Sequence, residues 1–148
     1  DLRLDTSHAN VHEFRQIVNK RLARRDSNQL SLQVSSFGFK NGVPPDADFV
    51  FDLRCLPNPF WHPNLREFTG RDSQIQDFLC GDELVEAMIS DIAELMEKWI
   101  PRFASENRSY LTVAVGCTGG RHRSVYVAER IAERFSDVYK ILVVHRDN

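Results

Sequence analysis

The chain has 148 residues, of which 42% are hydrophobic and 27% charged, and its formal net charge is −2. This length suits one domain with a sizeable core. The near-neutral charge excludes nucleic-acid binding through overall charge, so any such binding needs a local basic patch.

The cysteine count bears on the compartment. The three cysteines, Cys55, Cys80 and Cys117, are odd in number and contain no Cys-x-x-Cys pair. This usage argues against a disulfide framework or a zinc site and suits a reducing compartment. The sequence also has no apolar run of membrane-spanning length. We therefore expect a cytoplasmic protein with no membrane partner, no metal and no cofactor.

The first 27 residues differ in character from the rest. Apolar residues recur there at helical spacing in a basic segment, at Val11, Phe14, Ile17, Val18 and Leu22. We interpret residues 1–27 as a strand remnant and linker helix from a missing N-terminal domain. Residues 28–148 are predicted to form the folded domain.

Four apolar segments predict strands, over residues 30–36, 48–54, 109–116 and 140–145. A helix is predicted over residues 82–104, with Pro101 kinking or ending it. Its apolar stripe is Val85, Met88, Ile92, Leu95, Trp99 and Phe103. A second helix begins at Ser124 and turns inward Val125, Ala128, Ile131, Ala132 and Phe135. The predicted fold is α/β: a mixed sheet of about four strands flanked by helices, with 48–54 and 109–116 central and one βαβ unit over 109–145.

A glycine-rich segment joins the third strand to the second helix. It reads Gly116-Cys117-Thr118-Gly119-Gly120-Arg121-His122-Arg123-Ser124. A strand–glycine loop–helix junction directs several backbone N–H groups to one spot, at the positive end of a helix dipole. Arg121, His122 and Arg123 add charge and donors. The segment from Cys117 to Ser124 is therefore predicted to bind an anion, namely a phosphate.

The same loop fits the pattern Cys-x-x-Gly-x-x-Arg-Ser of cysteine-dependent phosphatases, in which a thiolate attacks phosphorus. Those enzymes usually carry His before the cysteine, whereas this chain has Gly116. Asp48 and Asp72 are the only nearby candidates for a general acid. The alternative interpretation is that Cys117 is a small buried hydrophobic residue. We expect no enzyme activity and keep the phosphatase as the alternative.

Other residues are candidates for contacts with a ligand. Asp52 and Arg54 end a strand, where ligands gather in α/β folds. Between Arg108 and Arg146 there are seven Lys or Arg residues and three acidic ones, a local basic surface suited to RNA phosphates. The candidate RNA contacts are Arg121, Arg123, Lys140, His145 and Arg146. Alternatively, Arg130 and Arg134 pair with neighbouring Glu129 and Glu133.

An aromatic set either stacks RNA bases or belongs to the core. It comprises Phe37, Phe39, Phe49, Phe51, Phe60 and Trp61.

Five stretches together resemble the C-terminal domain of the RapZ (YvcJ) family, over about residues 30–146. They are Ser36-Phe37-Gly38-Phe39-Lys40, Asp48 to Arg54, Leu56-Pro57-Asn58-Pro59, Asn107 to Val113 and the Gly116–Ser124 loop. In that family a P-loop nucleotide-binding domain precedes this one. The resemblance implies an RNA-binding adapter that binds small regulatory RNA, presents it to RNase E, senses glucosamine-6-phosphate and so tunes amino-sugar synthesis. It also implies a homo-oligomer.

The resemblance assigns the phosphate or sugar-phosphate site to Thr118, Gly119, Gly120, His122 and Arg123. Enterobacterial members carry a His of the proposed sugar site where this chain has Phe60. His62 is the candidate substitute, and Asn58 is a further candidate sugar contact. Those members end in a Lys/Arg-rich tail, whereas this sequence ends in His145-Arg146-Asp147-Asn148. A domain that serves only dimerisation of the longer protein is a third possibility.

Overall fold

A computed structural model describes residues 30–148. The predicted strand remnant and linker helix at 1–27 lie outside the described residues. The strands are β1 (Ser31–Gly38), β2 (Phe49–Asp52), β3 (Tyr110–Cys117) and β4 (Lys140–His145). The helices are α1 (Ser73–Leu79), α2 (Glu83–Ser105) and α3 (Arg123–Phe135), and short 3₁₀ turns cover Phe39–Asn41 and Pro59–Trp61.

The four strands form one sheet in the order β2-β3-β1-β4. The predicted α/β class and strand number are confirmed. A mixed sheet was expected, but every neighbouring pair is parallel. Parallel strands need crossover connections. The described chain supplies them through α1 and α2 between the neighbours β2 and β3, and through α3 between β3 and β4, which lie on either side of β1. All four strands therefore end at the same edge of the sheet.

The centre of the sheet differs from the sequence prediction. β1 and β3 are central, whereas β2 is a four-residue edge strand. Phe49 and Phe51 pack against the core, but Val50 between them is 41% exposed. The apolar run over residues 48–54 had predicted a central strand buried on both faces of the sheet. The central β1 was less evident because Ser31, Ser35 and Ser36 are polar residues that the fold buries.

The helices cover the sheet with a shared apolar core. α3 buries every residue that the sequence turned inward, as predicted. α2 continues past Pro101 to Ser105, and its buried face is rotated from the predicted stripe, leaving Leu95 and Trp99 exposed. The buried face is Val85, Ile89, Ile92, Ala93, Met96 and Ile100. Helix α1, which has seven residues, was not predicted from the sequence.

Candidate anion site at the carboxyl edge of the sheet

The glycine-rich loop lies where the strands end. β3 ends at Cys117, and α3 begins at Arg123. The Lys40 amide after β1 donates to Thr118 O at 3.2 Å, and the Leu53 amide after β2 donates to Gly116 O at 2.8 Å. The loop is thus flanked by the segments that follow β1 and β2, as expected for a site at the carboxyl edge of a parallel sheet.

Glycines allow the loop to lie directly on β1. Gly120 has φ +81°, and a Cβ there would lie 2.6 Å from Gly38 N. In the other direction, a Cβ on Gly38 would lie 2.5 Å from the carbonyl carbon of Gly119. A Cβ on Gly119 itself would meet no atom of residues 30–148 within 4 Å. Gly38 and Gly120 therefore permit packing, while Gly119 lies at the open side of the loop, where a ligand can approach the backbone.

Cys117 lies beneath the loop, and its side chain is 2% exposed. The Gly120 amide donates to its Sγ at 3.3 Å, and Sγ is hydrogen-bonded to Ser124 Oγ at 3.2 Å. Burial, the largest single influence, raises the pKa of the Cys117 thiol. The hydrogen bonds from Ser124 and Gly120 and the charge of Arg123 together outweigh it, so that the pKa is lowered. Cys117 is therefore buried, as the simpler interpretation held, yet the pKa of its thiol lies below the ordinary value.

Arg123 is buried at the start of α3, with 3% exposure. Its Nη1 donates to the carbonyl oxygens of Arg54 and Leu56, each at 3.0 Å. Within residues 30–148 its buried Nε has no hydrogen-bond partner. The Arg123 charge also acts on the Cys117 thiol and on the Asp52 carboxylate. One side of the guanidinium thus fastens the segment after β2, and one buried donor is left over.

Asp52 and Arg54 form the rim beside the loop. Arg54 Nε and Nη2 donate to the two carboxylate oxygens of Asp52 at 2.9 and 2.7 Å. The Arg54 side-chain hydrogen bond is the largest cause that lowers the pKa of Asp52. The Arg54 guanidinium lies 3.9 Å from the ring centroid of Phe39. Both charges are about half exposed, at 50% and 48%, so they remain accessible to a ligand.

Arg121 and His122 connect the loop to residues 66–70. His122 is buried, and its Nε2 lies 3.2 Å from Arg66 O. Burial lowers the pKa of His122, and the charges of Arg121 and Arg123 act in the same direction. Arg121 is exposed and donates from Nη2 to Glu67 O at 3.2 Å. His122 therefore positions the neighbouring segment, while Arg121 lies at the surface.

The two other predicted sugar contacts have partners of their own. Asn58 Oδ1 accepts from the Phe60 amide at 3.0 Å and caps the turn at Pro59–Trp61. The His62 ring lies edge-on to Phe78, with centroids 4.9 Å apart. These contacts order the segment after β2.

The predicted RNA contacts fall into separate places. Lys140 begins β4 beside Ser31, at the opposite edge of the sheet from the loop. Strand β4 rises over five residues from Lys140 to His145, so these two ends of the sheet lie roughly 16 Å apart. Arg121 and Arg123 remain at the loop edge, and Arg146 directly follows β4 there.

His145 is largely internal, since its side chain is 10% exposed. Its Nδ1 lies 2.7 Å from Ser36 Oγ, and its Nε2 lies 2.6 Å from Glu129 Oε2. The side chain therefore joins β1, β4 and α3. Arg130 forms its ion pair with Glu86 of α2 rather than with Glu129 or Glu133.

The structure adds residues at this edge that the sequence analysis did not assign. The Gly38 amide donates to Asp147 Oδ2 at 2.7 Å. Asp147 also pairs with Arg146, whose side-chain hydrogen bond is the largest cause that lowers the pKa of Asp147. Lys40 is exposed beside Thr118. The glycine in the Phe37-Gly38-Phe39 stretch could have indicated close packing from the sequence alone. Nothing in the sequence marked Asp147 as part of this site.

Residues 30–148 contain no group of three or more His, Cys, Asp or Glu side chains placed to hold a metal ion. Across the same residues, none of the helices has the length and apolar character needed to cross a membrane.

The sequence model of the family described as the RapZ C-terminal domain matches residues 30–148. The chain belongs to this family. A nucleotide-binding protein from Chromobacterium violaceum is 56% identical over 144 residues, covering 97% of the chain and 51% of the relative. Nucleotide-binding proteins from Cupriavidus taiwanensis and Azotobacter vinelandii are 54% and 47% identical, covering 98% and 99% of the chain and 50% and 52% of the relatives. The chain thus spans about half the length of the curated relatives that it matches.

Proposed function

We propose that this RapZ C-terminal domain is a non-enzymatic adapter module that binds phosphate groups of RNA and of a phosphorylated metabolite at the glycine-rich loop. The observation that carries the proposal is the buried Nε of Arg123 at the start of α3, which has no hydrogen-bond partner among residues 30–148. A buried donor without an acceptor costs about 1–3 kcal/mol. A phosphate oxygen at the loop offsets that cost.

The surroundings of Arg123 support an anion as the ligand. The first turn of α3 contributes about half a unit of positive charge, and the backbone at Gly119 is open to approach. The Gly120 amide already donates to Cys117 Sγ, so we assign the backbone contacts to Thr118 and Gly119. Lys40, Arg54 and Arg121 supply exposed charge around the loop.

Family membership supports the finer proposal. We infer that the RNA is a small regulatory RNA presented to RNase E, and that the metabolite is glucosamine-6-phosphate. Homo-oligomerisation would raise the affinity of a domain with one local basic surface, because several copies can hold one RNA. The relatives named as nucleotide-binding proteins are about twice as long, so their full activity is proposed only for the longer protein.

Competition is the direct test. Calorimetry should detect glucosamine-6-phosphate and inorganic phosphate but not glucosamine, and gel shifts should show RNA binding that weakens steeply with salt. Glucosamine-6-phosphate should displace RNA at equal ionic strength. RNA and sugar phosphate bound without mutual effect would refute the shared site, and absence of RNA binding at low salt would refute the adapter function.

A cysteine phosphatase is the second candidate, because the surroundings of Cys117 lower the pKa of its thiol. Three observations count against it. Cys117 is almost fully buried. Asp48 precedes β2, at the opposite edge, where it pairs with Arg108. Asp72 accepts from the Thr69 amide at 2.7 Å. We expect no turnover of an aryl phosphate, and turnover that disappears in Cys117→Ser would establish the phosphatase instead.

A further inference from the structure

Two aromatic side chains project from the turn after β2. Trp61 is 72% exposed and Phe60 is 48% exposed. Their rings meet edge to face, with centroids 6.2 Å apart and planes at 77°. Neighbouring exposed aromatic side chains are uncommon on a surface that meets only water, so this pair is a candidate interaction surface.

The turn that carries the pair is held by several contacts. Asn58 Oδ1 accepts from the Phe60 amide, and Arg66 Nε donates to Phe60 O at 2.7 Å. The Arg66 guanidinium also lies 4.8 Å from the centroid of the Phe60 ring. Pro59 and Pro63 restrict the backbone on both sides. The rings are therefore presented on an ordered turn, which lowers the entropy lost on binding.

The aromatic pair is continuous with the proposed phosphate site. Arg66 O lies 3.2 Å from His122 Nε2, and Glu67 O accepts from Arg121 at 3.2 Å. The segment from Leu53 to Arg71 contains three Arg residues and one acidic residue, Glu67. Arg54 and Arg71 pair with Asp52 and Glu129, so Arg66 and Arg121 supply the positive charge beside the rings, which suits a polyanion with flat apolar groups.

We propose that Phe60 and Trp61 stack the unpaired bases of a single-stranded RNA segment whose backbone phosphate lies at the glycine-rich loop. Aromatic stacking beside a positive surface is the general means of holding single strands without reading sequence. This inference rests on the proposed function and adds the part of the RNA that is recognised: an unpaired segment, bound with little base preference.

The chain provides a matched control, since its second tryptophan, Trp99, is 42% exposed on the acidic helix α2. Trp61→Ala should weaken binding of a short single-stranded RNA about tenfold, the effect of losing one stacked base. Trp99→Ala should leave that affinity unchanged, and inorganic phosphate should bind equally well to both variants. Equal single-strand affinity for wild type and Trp61→Ala would overturn stacking while leaving the phosphate site intact.

Two further measurements distinguish base stacking from other causes of weaker RNA binding. An abasic single strand of the same length should bind wild type and Trp61→Ala equally, because no base remains to stack. In Trp99→Phe, which keeps Trp61 as its tryptophan, RNA should quench the fluorescence and inorganic phosphate should not. A dimeric wild type that becomes monomeric in Trp61→Ala, with unchanged RNA binding, would identify a second copy as the occupant and overturn the proposal. Failure of wild type to bind any RNA would refute the proposed function itself.

Discussion

Gly38 and Gly119 lie in such close contact that a Cβ on Gly38 would be 2.5 Å from the Gly119 carbonyl carbon. Gly38 ends β1 with φ −108° and ψ 130°, an extended conformation open to any residue. Gly38 is thus required by the space available, not by its dihedral angles. The contact makes the position of the loop depend on the end of the neighbouring strand.

Gly38→Ala should displace the loop. Inserting a methyl group into a packed contact costs about 1–3 kcal/mol, so the free energy of unfolding should fall by this amount, and phosphate and RNA affinity should fall with it. Chemical denaturation and calorimetry measure the two effects. Unchanged stability would show that the loop yields easily and that the contact does not position it.

Gly119→Ala is the companion substitution, and it should weaken phosphate binding with little change in stability. A Cβ there meets no atom of the described residues within 4 Å, so stability should stay within about 0.5 kcal/mol of wild type. Phosphate affinity should nevertheless fall, because the methyl group obstructs the open side of the loop. Calorimetry at matched pH checks this, and tighter or equal phosphate binding would place the anion elsewhere.

Arg123→Lys keeps the charge and removes the Nη1 group that donates to Arg54 O and Leu56 O. We expect a loss of about 1–3 kcal/mol in stability and a fall in phosphate affinity worth about 1.5–3 kcal/mol. Arg134→Lys, an exposed position on the same helix, should change neither quantity. If Arg123→Lys binds phosphate normally, the unpartnered Nε does not contact the ligand.

The Cys117 thiol should titrate below its ordinary pKa. Burial opposes this shift, but hydrogen bonds from Ser124 and Gly120 and the Arg123 charge outweigh it. Thiolate absorbance in a Cys55→Ser/Cys80→Ser background isolates the buried thiol, and Ser124→Ala should move its pKa upward. A normal or raised pKa in that background would contradict the described hydrogen bonds.

The lowered pKa of the Cys117 thiol makes the stability of the fold depend on pH. Because the folded pKa is lowered, the unfolded chain binds more protons between the two pKa values, and stability rises with pH there. The contribution is complete above the ordinary thiol pKa and is lost as pH falls through the lowered one. Cys117→Ala should remove this slope from the pH dependence of unfolding, provided that Asp and Glu titration at acid pH is treated separately.

Arg130 should contribute to stability and not to RNA binding. It forms a two-pronged pair with Glu86 at 3.0 and 3.1 Å, joining α3 to α2. Since both side chains are partly exposed, Arg130→Ala should cost about 1 kcal/mol at most. A double-mutant cycle with Glu86→Ala measures the coupling. RNA affinity that falls in Arg130→Ala but not in Glu86→Ala would make Arg130 a phosphate contact.

Acid should weaken the same pair. The Arg130 side-chain hydrogen bond is the largest cause that lowers the pKa of Glu86. Its stabilising contribution is therefore present above the ordinary Glu pKa and is lost as pH falls through the lowered value. Glu86→Gln should flatten this part of the stability profile, and a profile that matches wild type would exclude the pair as its source.

The sequence by itself determined the features that depend on neighbouring residues. The glycine-rich loop lies between a buried strand and a helix, as the run from Ser109 to Ser124 predicted. The inward face of α3 also followed from its 3.6-residue period, since Val125, Ile131 and Phe135 are buried. Period, turn chemistry and motif spacing act within a few residues of chain, so they can be interpreted before the fold is known.

Only the tertiary structure decided which distant segments meet. β1 lies between β3 and β4, so Ser31 pairs with both Tyr110 and Lys140, and this order moved β2 to the edge. Strand order depends on contacts between residues far apart in the chain, which periodicity does not encode. The same contacts buried Phe37 and left Trp61 exposed, although both are aromatic residues. They also gave Arg123 two carbonyl partners and left its Nε without a partner in the described part of the chain.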